Sequence, residues 1–236
     1  MNSILNSIKN NRLLFIILFA TILRLIPFLI YEPWNNNVIK DNILVSDARE
    51  YHTLALHILE TGSYPEHTFL STKRTPLYTW FLALGYSVFG VNPYIILLLQ
   101  ILLNLVSLSF VYKISALFFD DKIAILAAFL YAIDPVSVLY TQTLLADTMV
   151  TTIFLASIWF LVYSLKTKKS LIMLAGGVFL GFAVLTKPVF QYFPVIVFIL
   201  ITTFYYKDWI RVLKYSFLFA FGFILIVMPW LYRVLQ

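Results

Sequence analysis

Six of the eleven acidic residues of this chain fall within residues 32–66, one polar stretch set between long apolar segments. An otherwise oily chain that keeps a loop this long and rich in carboxylates marks it as a place for chemistry at a membrane surface. Asp47, Glu50 and Tyr51 stand together in it, and Lys73 and Arg74 follow just before Thr75 and Pro76. Carboxylates so placed serve as proton acceptors, metal ligands or helix caps, and neighbouring cations hold anions such as phosphate. Asp47 and Glu50 also have the spacing of a capping box at a helix start, so that reading stands beside the chemical one. His52, His57 and His67 share the stretch and raise a divalent metal as a cofactor. His52 and His57 are about 140° apart around a helix and do not converge, so no metal site is assigned. The absence of cysteine excludes disulfides, thiolate metal sites and cysteine nucleophiles. The chain contains no Walker loop, dinucleotide fingerprint, paired-histidine zinc motif or internal repeat.

The elements that must position these residues follow from composition. With 61% hydrophobic residues, 12% charged residues and a mean hydropathy of +0.90, the chain reads as an all-α integral membrane protein. About 20 helical residues cross a bilayer core. Seven apolar segments qualify as crossings, at approximately 13–32, 94–118, 122–140, 146–165, 170–187, 189–206 and 212–230. The first is read as a retained anchor, because the residues after it offer no small-residue cleavage pattern. The whole chain reads as one membrane domain: an anchor at 1–32, an outer loop at 33–93 and helices two to seven at 94–236.

Two further helices are expected inside the loop, both lying in the interface. Residues 46–61 end at Gly62, place Leu54, Ala55, Ile58 and Leu59 on an apolar face, and set Asp47 and Tyr51 at one edge of it. Residues 75–90 open with Thr-Pro and close with Gly90. That helix would reach only about 21 Å, short for a crossing.

Lysine and arginine in short loops favour the cytoplasm. Ten of the seventeen basic residues fall on one side of a seven-crossing chain: Lys9, Arg12, Lys113, Lys122, Lys166, Lys168, Lys169, Lys207, Arg211 and Lys214. The amino terminus is then cytoplasmic, the loop extracytoplasmic and the protein a multi-pass plasma-membrane protein. The net charge of +6 needs no nucleic-acid partner.

The order of motifs resembles the GT-C membrane glycosyltransferases, most closely the branch of protein O-mannosyltransferases and lipid A aminoarabinose transferases. Asp47-Ala48-x-x-Tyr51 lies on the first surface helix, and Lys73-Arg74-Thr75-Pro76-Leu77 opens the second, which ends Val88-Phe89-Gly90. Leu144-Leu145-Ala146-Asp147, the run 181–188 ending Thr186-Lys187-Pro188, and Pro229-Trp230-x-x-Arg233 complete the series.

The resemblance implies inverting transfer of a sugar from a polyprenyl-phosphate donor to an extracytoplasmic lipid, glycan or protein acceptor. Asp47 matches the expected catalytic base, with Glu50 and Tyr51 as supporting residues and Glu50 expected to cap the helix or face solvent. Asp147 is either a second acidic group that orients a substrate or a helix cap. Arg74 is the first choice for the donor phosphate, because arginine offers the better fork. Lys73 and Lys187 are further phosphate candidates, with snorkelling as the alternative for Lys73. Arg24 is expected to snorkel or to enter a structural ion pair. Asp134 should face the bundle interior or a wet cavity.

The family's enzymes carry more helices after the seventh, so the chain is expected to be an amino-terminal half, completed by a carboxy-terminal half or partner chain. Two alternatives belong to other classes: a non-catalytic protein that binds lipid-linked glycans, and a small transporter. A transporter should show broken polar helices at mid-membrane in repeated halves. Here the ionisable groups gather at outer helix ends.

Overall fold

The computed structural model describes residues 2–39, 43–66 and 73–234. His67 lies outside them. Among the described residues all regular structure is helical and no strand is present. Helix α1 spans Asn2–Tyr31, α2 Asp47–Thr61 and α3 Pro76–Phe89. Then come α4 Pro93–Phe118, α5 Asp121–Ile133, α6 Pro135–Tyr140, α7 Asp147–Thr167 and α8 Ser170–Thr186. A 3₁₀ turn at Pro188–Tyr192 leads into α9, Phe193–Phe204, and α10 spans Trp209–Val234.

Four helices are long and apolar enough to cross a membrane: α1 from Asn11, α4, α7 and α10. Two shorter apolar helical stretches, α8 and Pro188–Phe204, accompany them. The protein is an all-α membrane protein, and each of the seven expected apolar segments is helical.

The third segment departs from the continuous helix expected over 122–140. It breaks at Asp134, whose backbone is extended (φ −63°, ψ 114°). A residue before proline is driven out of the helical region, and Pro135 then starts α6 from its first position. The Asp134 carboxylate caps the new helix, accepting the Ser137 N–H at 2.7 Å.

Helix α8 packs between α7 and α10, α7 on α4, α4 on α5, and α5 on α1. Glycine sets the closest of these approaches. A Cβ on Gly177 would overlap the Phe219 carbonyl, and one on Gly222 would overlap that of Leu174. The pairing thus uses Gly177 and Gly181 of α8, spaced as a GxxxG contact, and a glycine of α10 as well.

Arg24 neither snorkels nor pairs with a carboxylate, contrary to expectation. Its side chain is wholly buried. The guanidinium donates to Asn104 Oδ1 at 2.7 Å, Ala20 O at 3.0 Å, Ala132 O at 3.1 Å and Ser137 Oγ at 3.2 Å. Neutral acceptors from α1, α4, α5 and α6 therefore satisfy it, and the break after Ile133 supplies two of them.

The two loop helices lie across one end of the bundle, here called the loop end. Tyr51, Leu54, Ala55 and Ile58 of α2 are buried in one cluster with Tyr78, Leu82 and Tyr86 of α3 and Ile96 and Ile101 of α4. The Tyr78 hydroxyl donates to Gln100 Oε1 at 2.6 Å, and the Gln100 amide donates to Thr143 O at 2.7 Å. These bonds seat α3 on the first turns of α4 and beside the start of α7. At the other end of the bundle, Lys166 Nζ donates to the carbonyl of Leu117.

Candidate active site

Helix α2 begins at Asp47, with Ser46 in the cap position. No side chain caps this helix, so the capping box expected of Asp47 and Glu50 does not form. Both carboxylates turn instead toward the residues that precede α3. Lys73 Nζ donates to Glu50 Oε1 at 2.8 Å, and Arg74 Nε donates to Glu50 Oε2 at 2.7 Å. Arg74 Nη2 stands 2.5 Å from Asp47 Oδ1, an ion pair between the loop helix and the α3 entry. The guanidinium also lies 4.9 Å over the ring of Tyr51, one turn along from Asp47. Tyr51 in turn meets Tyr78 edge-on at 4.9 Å.

Two hydrogen bonds hold the chain at Arg74 and Thr75. Its carbonyl accepts the Tyr64 hydroxyl at 2.8 Å. The next residue, Thr75, donates through Oγ1 to the carbonyl of Thr186 at 2.9 Å. Thr186 is the last residue of α8, and Lys187 follows it with Nζ 2.6 Å from Asp147 Oδ1. Asp147 is the first residue of α7 and makes no cap. Four helix ends thus carry two carboxylate–cation pairs side by side. Asp47 with Arg74 joins α2 to the α3 entry, and Asp147 with Lys187 joins α7 to the end of α8.

Electrostatics follow the contacts. The Arg74 guanidinium holds the Asp47 carboxyl below its ordinary value, with Lys73 and Lys187 adding to the effect. Lys73 and then Arg74 hold Glu50 down likewise. Burial opposes the charge on Arg74, but Asp47 and Glu50 outweigh it and raise its pKa. Burial raises the Tyr51 hydroxyl and pushes Tyr64 up to about 12, so both stay protonated donors. Burial also lowers His52, whose Nδ1 lies 2.9 Å from the Tyr86 hydroxyl. Among the described residues no group of three carboxylates or histidines could hold a metal.

A family model described as dolichyl-phosphate-mannose-protein mannosyltransferase matches residues 73–232. The chain belongs to this family. No curated protein and no solved structure matches it. Membership makes the protein a membrane glycosyltransferase of the mannosyltransferase kind, with a lipid-linked sugar as donor. The stretch matched to the mannosyltransferase family holds Lys73, Arg74, Asp147 and Lys187 and starts after Asp47, Glu50 and Tyr51.

Every sequence-derived site residue lies at this end of the bundle. Three residues that sequence reasoning gave no part in the site also help to build it. Tyr64 and Thr75 hold the backbone at Arg74 and just after it. Arg233, at the end of α10, donates to the carbonyls of Tyr64 and Pro65 and stacks 5.1 Å over the Tyr64 ring. The Pro-Trp-x-x-Arg motif was its only signal, and nothing in the sequence paired that motif with Tyr64.

Proposed function

We propose that the protein transfers a sugar from a polyprenyl-phosphate donor to a hydroxyl or amine acceptor, with inversion, on the extracytoplasmic face of the plasma membrane. The observation that carries this reading is the Thr75–Thr186 hydrogen bond, which sets Arg74 and Lys187 beside each other with a carboxylate on each. The acceptor oxygen or nitrogen attacks the anomeric carbon and gives its proton to Asp47. The anomeric C–O bond breaks, and its electron pair stays on the lipid phosphate. Arg74, assisted by Lys73 and Lys187, binds the phosphate and neutralises the charge that develops there. Attack opposite the departing phosphate inverts the anomeric centre.

The resting ion pairs fit this scheme. A phosphate drawing Arg74 toward itself loosens the guanidinium from Asp47 and raises the proton affinity of the carboxylate where a base is required. Glu50 keeps Lys73 and Arg74 in place, and Tyr51 supports the guanidinium from below. An apolar cavity of about 320 Å³ between α7, α8 and α9, lined by Phe154, Leu180, Phe193 and Val197, offers room for part of the isoprenoid chain. The motif order in the loop supports the protein O-mannosyltransferase and aminoarabinose transferase branch. The basic clusters at the opposite end support a cytoplasmic amino terminus.

The test is single-turnover transfer by the protein in lipid nanodiscs, with polyprenyl-phosphate sugars labelled in the sugar and a membrane extract as acceptor source. Label leaving the lipid for an extract component is expected. Retention of every labelled sugar on the lipid, with donor bound, would overturn the reading.

A further inference from the structure

A cavity of about 200 Å³ with several polar residues in its wall opens beside Asp147, between the start of α7, the start of α6 and the middle of α4. Its wall includes Tyr131, Asp134, Ser137, Asp147, Thr148 and Thr151. Two features separate it from an ordinary packing gap. Thr148 is 2% exposed, and its Oγ1 is buried with no hydrogen-bond partner among the described residues. A buried hydroxyl left unpaired costs free energy, and such groups mark places where a ligand or a water completes the set. The far wall is also braced: Arg24 holds both Asn104 and Ser137, two residues that line the cavity. Asp134, read from the sequence as facing the bundle interior or a wet cavity, uses one carboxylate oxygen to cap α6 and is among the residues that line the same space.

We infer that this cavity receives the sugar ring of the lipid-linked donor, with Thr148 and Asp134 as ring-binding residues that set which sugar is accepted. The inference rests on the proposed transfer reaction and deepens it. Carboxylates accept hydrogen bonds from ring hydroxyls, and threonine and tyrosine hydroxyls can give or accept them. That wall suits a neutral, polyhydroxylated group. A phosphate would meet two carboxylates here, and an apolar group would leave Thr148 and Asp134 unsatisfied. The volume suits one ring and is below the size usual for larger ligands, about 300 Å³ and above. Position points the same way. Asp147 forms part of the cavity wall and also holds Lys187 at 2.6 Å. A phosphate taken up by Lys187 therefore leaves its attached sugar at the cavity mouth.

The test compares binding of a bare polyprenyl phosphate with binding of the same lipid carrying mannose, glucose or an amino hexose, using the full chain in nanodiscs. At least one sugar-bearing lipid is expected to bind about tenfold more tightly than the bare lipid, the value of one or two added hydrogen bonds. Thr148→Val, which keeps the shape and removes the hydroxyl, should abolish that margin and leave the bare-lipid Kd unchanged. Thr151→Phe, which fills the cavity, should do the same. Melting curves verify folding, and Thr148→Val decides alone if the larger substitution does not fold. A margin that survives in a folded variant overturns the inference. A wild type that binds bare and sugar-bearing lipid equally also overturns it, leaving the cavity to water and the phosphate site of the proposed reaction intact. A wild type that binds neither lipid overturns both.

Discussion

The hydroxyl of Thr75 donates to the carbonyl of Thr186 across 2.9 Å, joining two residues 111 positions apart. That carbonyl is one of the last four of α8, which have no partner within their own helix. Its acceptance of Thr75 locks the entry of α3 onto the end of α8. Arg74 and Lys187, the immediate neighbours of the two bonded residues, are thereby held at one place. Each is neutralised by a carboxylate from a different helix, Asp47 of α2 and Asp147 of α7.

The base assigned to Asp47 is open to a two-variant experiment. Because its side chain caps nothing, Asp47→Asn should fold and bind donor as the wild type does, while the transfer rate falls by about two orders of magnitude or more. Asp47→Ala should behave in the same way. Transfer by the Asn variant within about twofold of wild type would remove Asp47 from the reaction and make Asp147 the next candidate.

The pH dependence carries a sign. Arg74 lowers the Asp47 pKa, so the ionised base persists above that lowered value and is lost as pH falls through it. The acid limb of kcat/KM, which reports the free enzyme, should lie below the ordinary aspartate value of about 3.9. In Arg74→Ala the residual activity should show that limb shifted upward. An unshifted limb would mean that another group sets it.

Donor binding should depend on position and not on charge alone. Arg49 is exposed and donates to the Leu44 carbonyl at 3.1 Å, whereas Arg74 is half-buried between two carboxylates and the Tyr51 ring. Arg74→Ala should weaken binding of a polyprenyl-phosphate sugar by about tenfold or more, and Arg49→Ala by about twofold at most. Arg74→Lys should recover part of the loss, since it restores charge without the fork. Equal losses at positions 49 and 74, read by titration in nanodiscs, would indicate diffuse surface attraction.

Orientation can be read with single cysteines, because the chain has none of its own. A membrane-impermeant maleimide should label Asn37→Cys in intact cells and Lys168→Cys only after permeabilisation. Labelling of Lys168→Cys from outside would place the basic loop between α7 and α8 with the site, against the proposed topology.

Two residues show how far the sequence reaches into the fold and where it stops. Gly177 was legible as a close-packing position from its spacing to Gly181, because small residues at that interval mark helix contacts in membranes. Arg24 was not legible. A basic residue in an apolar helix ordinarily reaches for the interface or a carboxylate. Here the break at Asp134 frees backbone and hydroxyl acceptors from α5 and α6 that no local pattern of α1 foretells. The Asp-Pro pair at that break was visible in the chain, yet long apolar periodicity on both sides masked it.

Hydropathy and helix punctuation by themselves determined that the protein is helical, membrane-embedded and roofed by two surface helices at one end, since these are local properties of the chain. The same local logic placed Asp47 and Glu50 in a capping box. Tertiary structure overrode it, because Arg74 lies 24 residues beyond Glu50 and its guanidinium can draw in both carboxylates at once. Only folding could decide that Lys187 holds Asp147, that Thr75 meets Thr186, and that Thr148 lies beside a cavity with its hydroxyl buried and unpaired. Such contacts arise where helix ends from distant parts of the chain converge, and spacing along one helix carries no record of what lies across from it.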